Sequence, residues 1–230
     1  MSFLKIAKVS FAFLFVTQVF AETTPTGITL DQKWRETLYR FSTDSLKHPA
    51  WGLSHSERDY QIAKALLEES NISYDEEVLF AASFLHDLGG MDAFTVEGVD
   101  HAVRSAQLAE EKLPAMGFPV EKISEVKEII LGHTYYGPVP TSQMALAFRD
   151  ADILDFLGAM GIARLYGATK DLDPNFSSLT PATSLIRKFY KEMPSKLSLP
   201  ASSKLLEMKQ KESQAFLQAL DVSSFKGLAL

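Results

Sequence analysis

The chain has 230 residues, of which 46% are hydrophobic and 23% are charged, and this size and composition predict a single globular domain with a sizeable core. Its formal net charge of -6 argues against general binding to nucleic-acid backbones, which need a basic surface. It contains no cysteine, so disulfides, a thiolate nucleophile and zinc sites built on cysteine are all excluded.

Residues 1–21 have the pattern of a signal peptide. Lys5 and Lys8 flank the start of an apolar run over residues 9–20, and Val19 and Ala21 supply small side chains before a cleavage position. The run is shorter than the ~20 residues that a membrane span needs, although an uncleaved membrane anchor is the alternative interpretation. We therefore expect an exported protein, periplasmic or secreted, that has no contact with the membrane once the signal is removed.

Helical periodicity extends over most of the remaining chain. Residues 22–29 are polar and predict a linker, and residues 222–230 predict a C-terminal tail. Between them, residues 30–221 carry apolar side chains at helical spacing without convincing strand alternation, which predicts one all-α domain of about eight helices. The predicted helices cover, in order, residues 34–46, 54–67, 75–88, 100–113, 120–133, 144–166, 185–193 and 201–220.

The pair His86-Asp87 stands at the end of the third predicted helix, and Gly89-Gly90 follows it as a predicted helix stop with a left-handed backbone. Side chains of adjacent residues diverge by about 100° around a helix, so both can reach one ion only near the helix end. Two interpretations are open at this point: a pair of metal ligands, or a core histidine beside a capping aspartate.

Four of the five histidines lie at predicted helix ends or beside loops, which favours the ligand interpretation. Neutral imidazole and carboxylate groups are both ligands of divalent cations. The predicted ligands of a first ion are His55, His86, Asp87 and Asp152. The other two histidines, His101 and His133, have three open roles: they bind a second ion, contact the substrate or transfer protons.

The order of these residues, together with their flanking segments, resembles the HD-domain superfamily of metal-dependent phosphohydrolases, and in particular a group of stand-alone bacterial hydrolases. The segments that carry the resemblance are residues 97–102, 126–133, 149–155, 158–164 and 185–190, and the similarity extends over residues 34–221. The sequence departs from many members at residues 89–91, where it has Gly-Gly-Met and no lysine. The export signal is a second departure, because most members are cytoplasmic.

This resemblance implies an HD-domain helical bundle in which His55, His86, Asp87 and Asp152 meet as metal ligands. It also implies cleavage of a phosphoester or phosphoanhydride bond in a nucleotide or other small organophosphate by a metal-activated water. The implied cofactor is a divalent ion, with Mn, Mg, Co, Ni, Fe and Zn all open. Two alternatives remain: a metal- or nucleotide-binding protein without turnover, and a di-iron oxygenase that uses both His101 and His133 as ligands.

Within the phosphohydrolase hypothesis, Asp87, His101 and His133 are the predicted catalytic residues. Four arginines are predicted to bind the substrate phosphate, because guanidinium groups match its oxygens, with an ordinary ion pair as the alternative role. These arginines are Arg58, Arg104, Arg149 and Arg164.

Three further side chains have two interpretations each. Tyr135 and Tyr136 either line the mouth of a pocket, where a ring stacks on a base, or anchor a loop. Asp155 lies three residues after Asp152 and either orients a histidine ligand or forms a helix cap or ion pair.

Overall fold

The structure is a computed structural model that describes residues 22–175 and 177–230, and α-helices dominate it. The predicted all-α class is confirmed, and the described residues form ten α-helices where about eight were expected. The helices are α1 (Lys33–Ser45), α2 (Leu53–Glu69), α3 (Glu76–Ser83), α4 (His101–Met116), α5 (Ile123–Gly132), α6 (Gln143–Asp155), α7 (Gly158–Gly167), α8 (Thr169–Leu172), α9 (Thr180–Glu192) and α10 (Ser202–Ser223). The predicted signal peptide, residues 1–21, lies outside the described residues. No described helix combines the length and the apolar character that crossing a bilayer requires.

Helix α6 forms the centre of the fold, and α2 packs along it more extensively than any other helix does. From Ala147 to Asp155 every residue of α6 is buried. Phe80 in α3 and Ile130 in α5 are fully buried in the same core. Removing such side chains from water stabilises the fold by about 1.5–3 kcal/mol each. The polar residues of α6 are therefore held inside a well-packed core.

Side-chain caps determine where two of the helices near the centre begin. The carboxylate of Asp100 accepts a hydrogen bond from the backbone N–H of Ala102, so α4 begins at His101. The hydroxyl of Ser142 accepts one from the N–H of Ala145 at the start of α6. His101 consequently lies in the first turn of its helix, with its side chain free to point towards the neighbouring elements.

The prediction that the third helix continues to Leu88 is wrong. Helix α3 ends at Ser83, and a 3-10 turn spans Leu88–Gly90. His86 and Asp87 lie in the turn between these two elements, where the N–H of His86 still donates to the carbonyl oxygen of Ala82 but Leu85 and Leu88 donate to the carbonyl oxygen three residues earlier. This turn lets two adjacent side chains point to the same place, which a continuous helix would prevent.

Gly89 is required for close packing and not for a left-handed helix stop. Neither Gly89 nor Gly90 has a positive φ. A Cβ atom at Gly89 would lie 2.4 Å from the carbonyl oxygen of His101, and the N–H of Gly89 donates to the hydroxyl of Ser105 at 2.8 Å. The absent side chain thus allows the turn after α3 to lie directly against α4.

Two other segments differ from the structures predicted for them. The apolar segment 144–166 is divided into α6 and α7, and Gly158 begins α7 with a φ of +73° that favours glycine. The segment predicted as a linker contains a short hairpin, in which β1 (Glu22–Thr23) pairs antiparallel with β2 (Thr29–Leu30). Ile28 is buried in the main core, which ties this hairpin to the helical domain.

Candidate metal centre

Five segments of the chain bring ionisable side chains to one place against the buried face of α6. They contribute His55 and Asp59 from α2, His86 and Asp87 from the turn after α3, His101 from the start of α4, His133 from the residue after α5, and Asp152 from α6. All except His101 are buried. The four predicted ligands of the first ion thus lie together, and so do both additional histidines, while their binding of metal remains a prediction.

An inner group is formed by His55, Asp59, His86 and Asp152. The Nε2 atoms of His55 and His86 lie 3.3 Å apart. Oδ2 of Asp59 lies 3.1 Å from Nε2 of His55 and 3.6 Å from Nε2 of His86. Oδ1 of Asp152 lies 3.4 Å from Nε2 of His55. One ligand atom from each residue lies within 4.8 Å of all the others, so the group is compact enough for one cation.

An outer group is formed by His101 and His133, and Asp87 lies between the two groups. The Nε2 atoms of His101 and His133 are 3.1 Å apart. Oδ2 of Asp87 lies 3.4 Å from Nε2 of His86 and 3.6 Å from Nε2 of His55. Oδ1 of Asp87 lies 3.4 Å from Nε2 of His101 and 3.6 Å from Nε2 of His133. The two oxygens of one carboxylate therefore face two different pairs of histidines.

Hydrogen bonds at the opposite ring nitrogens orient the buried histidines. Nδ1 of His86 lies 2.9 Å from the carbonyl oxygen of Ser83, and Nδ1 of His133 contacts the carbonyl oxygen of Ile130. A carbonyl oxygen only accepts, so Nδ1 carries the proton in both rings. In the neutral ring the lone pair is then on Nε2 and points into the centre, as metal coordination requires.

Asp155 holds His55 from the side away from the centre. Oδ2 of Asp155 lies 2.9 Å from Nδ1 of His55 and accepts hydrogen bonds from Arg58 at 2.9 Å and from Arg164 at 2.7 Å. Burial alone would raise the pKa of Asp155. The hydrogen bonds of His55 and Arg58 and the charge of Arg164 together outweigh this effect and hold the pKa well below its usual range. Both sequence interpretations of Asp155 therefore apply, since this carboxylate orients a histidine and forms ion pairs.

Asp59 is the member of the centre that the sequence interpretation missed. It lies four residues after His55, a spacing that places both on one face of a helix, and this was the available signal. Both of its carboxylate oxygens are buried without a hydrogen-bond partner. Burial and the charges of Asp155 and Asp152 raise the pKa of Asp59. A buried carboxylate of this kind needs a positive charge, and a cation bound by the inner group would supply one.

The pKa values of two histidines in the centre also reflect its negative charge. Burial lowers the pKa of His86 and His101, but Asp87, with smaller contributions from Asp152 and other nearby acceptors, raises it more, so the pKa of both rings is above its usual value. Imidazole nitrogen and carboxylate oxygen are ligands of Zn, Fe, Ni, Co and Mn ions. The residues present therefore fit a divalent metal ion.

A cavity of about 290 Å³ opens onto the centre. Asp87, His101, His133 and Asp152 lie at its floor. Its walls carry the side chains of Trp51, Met91, Tyr135, Tyr136 and Phe156, which we call the aromatic walls. Both tyrosines thus line the pocket, as one of their two sequence interpretations predicted. His101 is 30% exposed and His133 is 2% exposed, so His101 is the more accessible of the two histidines that line the pocket.

The four arginines predicted to bind phosphate do not line this cavity. Arg58 and Arg164 pair with Asp155, as described above. Arg104 donates to the carbonyl oxygen of Phe94 at 3.1 Å. Arg149 is buried and donates to the carbonyl oxygens of Tyr135, Gly137 and Pro138 at 2.9 to 3.3 Å. Their role as phosphate ligands remains a prediction that this geometry does not support.

Comparisons with known proteins agree with this arrangement. Residues 52–157, which include every residue of the centre, match the sequence model of the HD domain. No curated protein matches the chain significantly.

Several solved structures share the fold. A predicted HD superfamily hydrolase from an uncultured Thermotogales bacterium is 24% identical, with 82% of this chain and 91% of that chain covered and a TM-score of 0.58. An HD-superfamily hydrolase from Bacillus thuringiensis is 23% identical, with 81% and 94% covered and a TM-score of 0.57. Bacillus subtilis YpgQ in complex with ADP is 22% identical, with 83% and 95% covered and a TM-score of 0.60.

Proposed function

The chain belongs to the HD-domain superfamily, and we propose that it is a metal-dependent phosphohydrolase that cleaves a phosphoester or phosphoanhydride bond of a nucleotide or other small organophosphate. The observation that carries the proposal is the convergence of His55, His86, Asp87 and Asp152, distant in the chain, with Asp59 on one buried centre below an open pocket. The ADP complex of the similar protein YpgQ supports a nucleotide as one class of substrate.

The inner group would hold the ion, and Asp87 would contact it from the pocket side. A divalent ion in such a site lowers the pKa of a coordinated water and polarises a phosphoryl oxygen. The oriented Nε2 atoms of His55 and His86 and the unpartnered oxygens of Asp59 are the groups that the chain supplies for this purpose. Because these atoms are already oriented, little reorganisation accompanies binding.

His101 is the residue we assign to proton transfer. Its Nε2 faces the pocket floor 3.4 Å from Oδ1 of Asp87. Its Nδ1 lies 3.2 Å from the hydroxyl oxygen of Tyr136, which itself donates to Asp100 at 2.8 Å. This chain of contacts fixes the orientation of the ring, so His101 can exchange a proton with a substrate oxygen in the pocket. The aromatic walls exclude bulk water from the same space.

A metal and substrate series tests the proposal. Protein stripped of metal and reloaded with Mn, Mg, Co, Ni, Fe or Zn should hydrolyse a nucleotide or a chromogenic phosphodiester with at least one ion. Asp59→Asn should reduce metal affinity and activity by more than about 100-fold, because an outer contact of a ligand alone is worth about 10–100-fold. Asp44→Asn, an exposed position on α1, is the matched control and should retain full activity.

Two results would contradict the phosphohydrolase proposal: no hydrolysis with any ion, or equal activity of the Asp59→Asn and Asp44→Asn proteins. Tight binding of metal and nucleotide without turnover would instead support the non-catalytic alternative.

A second candidate is a di-iron oxygenase, and the position of Asp87 is the observation that favours it. One carboxylate between two pairs of histidine Nε2 atoms, at 3.4 to 3.6 Å, is an arrangement that two ions can share. Four imidazoles also suit iron better than magnesium. Elemental analysis distinguishes the candidates, because one bound ion per chain excludes the oxygenase, whereas two irons per chain with consumption of dioxygen would support it.

We also propose that the protein acts outside the cytoplasm, on the signal-peptide pattern of residues 1–21. Cell fractionation and N-terminal sequencing of the protein from its native host test this. A mature protein that begins at Glu22 is the expected result, and a cytoplasmic protein that retains Met1 would contradict it.

A further inference from the structure

In the described part of the chain, the pocket above the metal centre lacks the positively charged side chains that bind a polyphosphate. Its walls are formed by the four aromatic side chains of Trp51, Tyr135, Tyr136 and Phe156, together with Met91. Of the residues that the structure describes, no lysine or arginine lines this cavity. A di- or triphosphate that entered it would therefore meet no lysine or arginine side chain among the described residues.

The two nearby arginines, Arg164 and Arg149, bind acceptors within the protein and do not line the pocket. Arg164 is 2% exposed, donates to Asp155 at 2.7 Å and to the carbonyl oxygen of Ala50 at 2.7 Å, and lies 5.3 Å and 5.0 Å from the ring centroids of Trp51 and Phe156. It therefore lies behind the aromatic walls. Arg149 is equally buried, donates to three backbone carbonyl oxygens and does not line the cavity.

The floor of the site is itself acidic. The carboxylates of Asp59, Asp87 and Asp152 together contribute three negative charges when ionised, so one divalent ion leaves the centre with a negative balance and two leave it only slightly positive. Asp155 with Arg58 and Arg164 carries a net charge of +1, but this set lies behind His55 and does not line the cavity. Each additional phosphate on a substrate would then add repulsion that no side chain offsets.

The walls of the cavity favour a molecule with a flat ring. Trp51 and Tyr135 approach Phe156 edge-on at 5.9 Å and 6.0 Å between ring centroids. These rings can contact the face or the edge of an aromatic group in the substrate.

We propose that the pocket selects a phosphoester with a single phosphate and one aromatic or heteroaromatic ring, and that it discriminates against di- and triphosphates. This inference rests on the proposed phosphohydrolase function and narrows its substrate class. In the reaction, the oxygen of water bonds to phosphorus and the P–O bond to the ring-bearing group breaks. The proton that water loses goes to the departing oxygen, so the products are a hydroxyl compound and phosphate.

The predicted discrimination against additional phosphates is tested with AMP, ADP and ATP, which share the same nucleoside and differ only in the number of phosphates. The metal-loaded protein should hydrolyse AMP with a kcat/KM at least about tenfold above that for ATP, and should bind AMP more tightly in calorimetry. Gly90 lines the cavity, and a Cβ atom there meets only the Cβ of His101, at 3.6 Å. Gly90→Lys should raise the ATP-to-AMP ratio of kcat/KM by about tenfold or more, whereas the uncharged Gly90→Gln should not.

The ring part is tested with benzyl phosphate and propyl phosphate, whose leaving alcohols are similarly basic. The protein should prefer benzyl phosphate by about tenfold or more, in line with the strength of aromatic stacking. Trp51→Leu should reduce this preference, mainly through KM, and Trp51→Phe should restore part of it.

The outcomes separate this inference from the proposed function. If nothing is hydrolysed with any ion, the phosphohydrolase proposal fails, and the calorimetric order of AMP, ADP and ATP still decides the selectivity of the pocket. If ATP is hydrolysed or bound as well as AMP, or if Gly90→Lys and Gly90→Gln behave alike, the inference is overturned although the protein remains a phosphohydrolase. Absence of binding by all three nucleotides also overturns it.

Discussion

The whole metal centre, here called the floor of the pocket, and the aromatic walls above it are held in place by different means. On the floor, His55 is oriented by a buried carboxylate and His86 by a backbone carbonyl oxygen, within or beside core helices. In the walls, Tyr135 and Tyr136 lie on the loop between α5 and α6, and Arg149 fixes this loop through its backbone. The comparison indicates that metal binding and substrate selection depend on separate residues, so mutations should be able to change one without the other.

The largest effect is expected from Asp87→Ala, because Asp87 faces both groups of the floor. Loss of the carboxylate that lies between the two pairs of histidines should reduce activity by more than about 100-fold with every metal. Activity assays beside elemental analysis measure this. A variant that loses metal but keeps its substrate affinity would sharpen the division between floor and walls, and unchanged activity would refute the assignment of Asp87.

Asp155→Asn should have the next largest effect, although Asp155 does not face the centre. The amide holds His55 less firmly, so metal affinity should fall by about 10–100-fold in titration calorimetry. The same change leaves Arg58 and Arg164 without their buried partner and should lower the free energy of unfolding by ~3–5 kcal/mol.

The control for this variant is Asp221→Asn, since Asp221 pairs with Arg187 where both side chains are about two-fifths exposed. This change should cost less than ~1 kcal/mol. If Asp155→Asn lowers stability but leaves metal affinity unchanged, Asp155 only supports the fold and does not orient a ligand.

Arg149→Met tests the walls. The variant removes the donor to three carbonyl oxygens of the loop and should cost ~1–3 kcal/mol in unfolding free energy. KM should rise because Tyr135 and Tyr136 lose their fixed position, whereas metal affinity should not change. A fall in metal affinity like that of Asp155→Asn would show that floor and walls are not independent.

Lys122→Met should have the smallest effect on stability and activity, because Lys122 lies outside both the floor and the walls of the pocket. Nζ of Lys122 lies 2.6 Å from Asp75 and 2.7 Å from Glu77 on the surface, so its loss should cost less than ~1 kcal/mol and leave activity unchanged. Burial raises the pKa of Asp75, but the hydrogen bond and charge of Lys122, together with two backbone hydrogen bonds, lower it more, and the hydrogen bond of Lys122 is the main cause that lowers the pKa of Glu77.

This ion pair has a defined pH dependence. A lowered carboxyl pKa contributes stability that is present above the ordinary values of 3.8 and 4.5 and is lost as the pH falls through the lowered pKa. The stability difference between wild type and Lys122→Met, measured by urea unfolding, should therefore shrink in acid. A difference that grows in acid would contradict the assignment.

Much of the candidate site could be predicted from the sequence. The positions of His55, His86, Asp87 and Asp152 at helix ends or on a buried helix, in that order, identified the family and the centre. Asp59 was missed although its spacing from His55 was visible, because an aspartate on a helix is usually a solvated residue. The phosphate role of the arginines could not be judged, since a guanidinium binds whichever acceptor the folded chain brings near it.

The sequence alone determined the helical class, because apolar side chains at helical spacing can bury one face only as helices. It also determined the chemistry available, because a chain without cysteine must build any metal site from imidazole and carboxylate. Tertiary structure alone decided that α3 stops at Ser83, that Asp87 lies between two pairs of histidines, and that Arg164 lies behind the aromatic walls. These features depend on contacts between residues far apart in the chain, which local propensity does not specify.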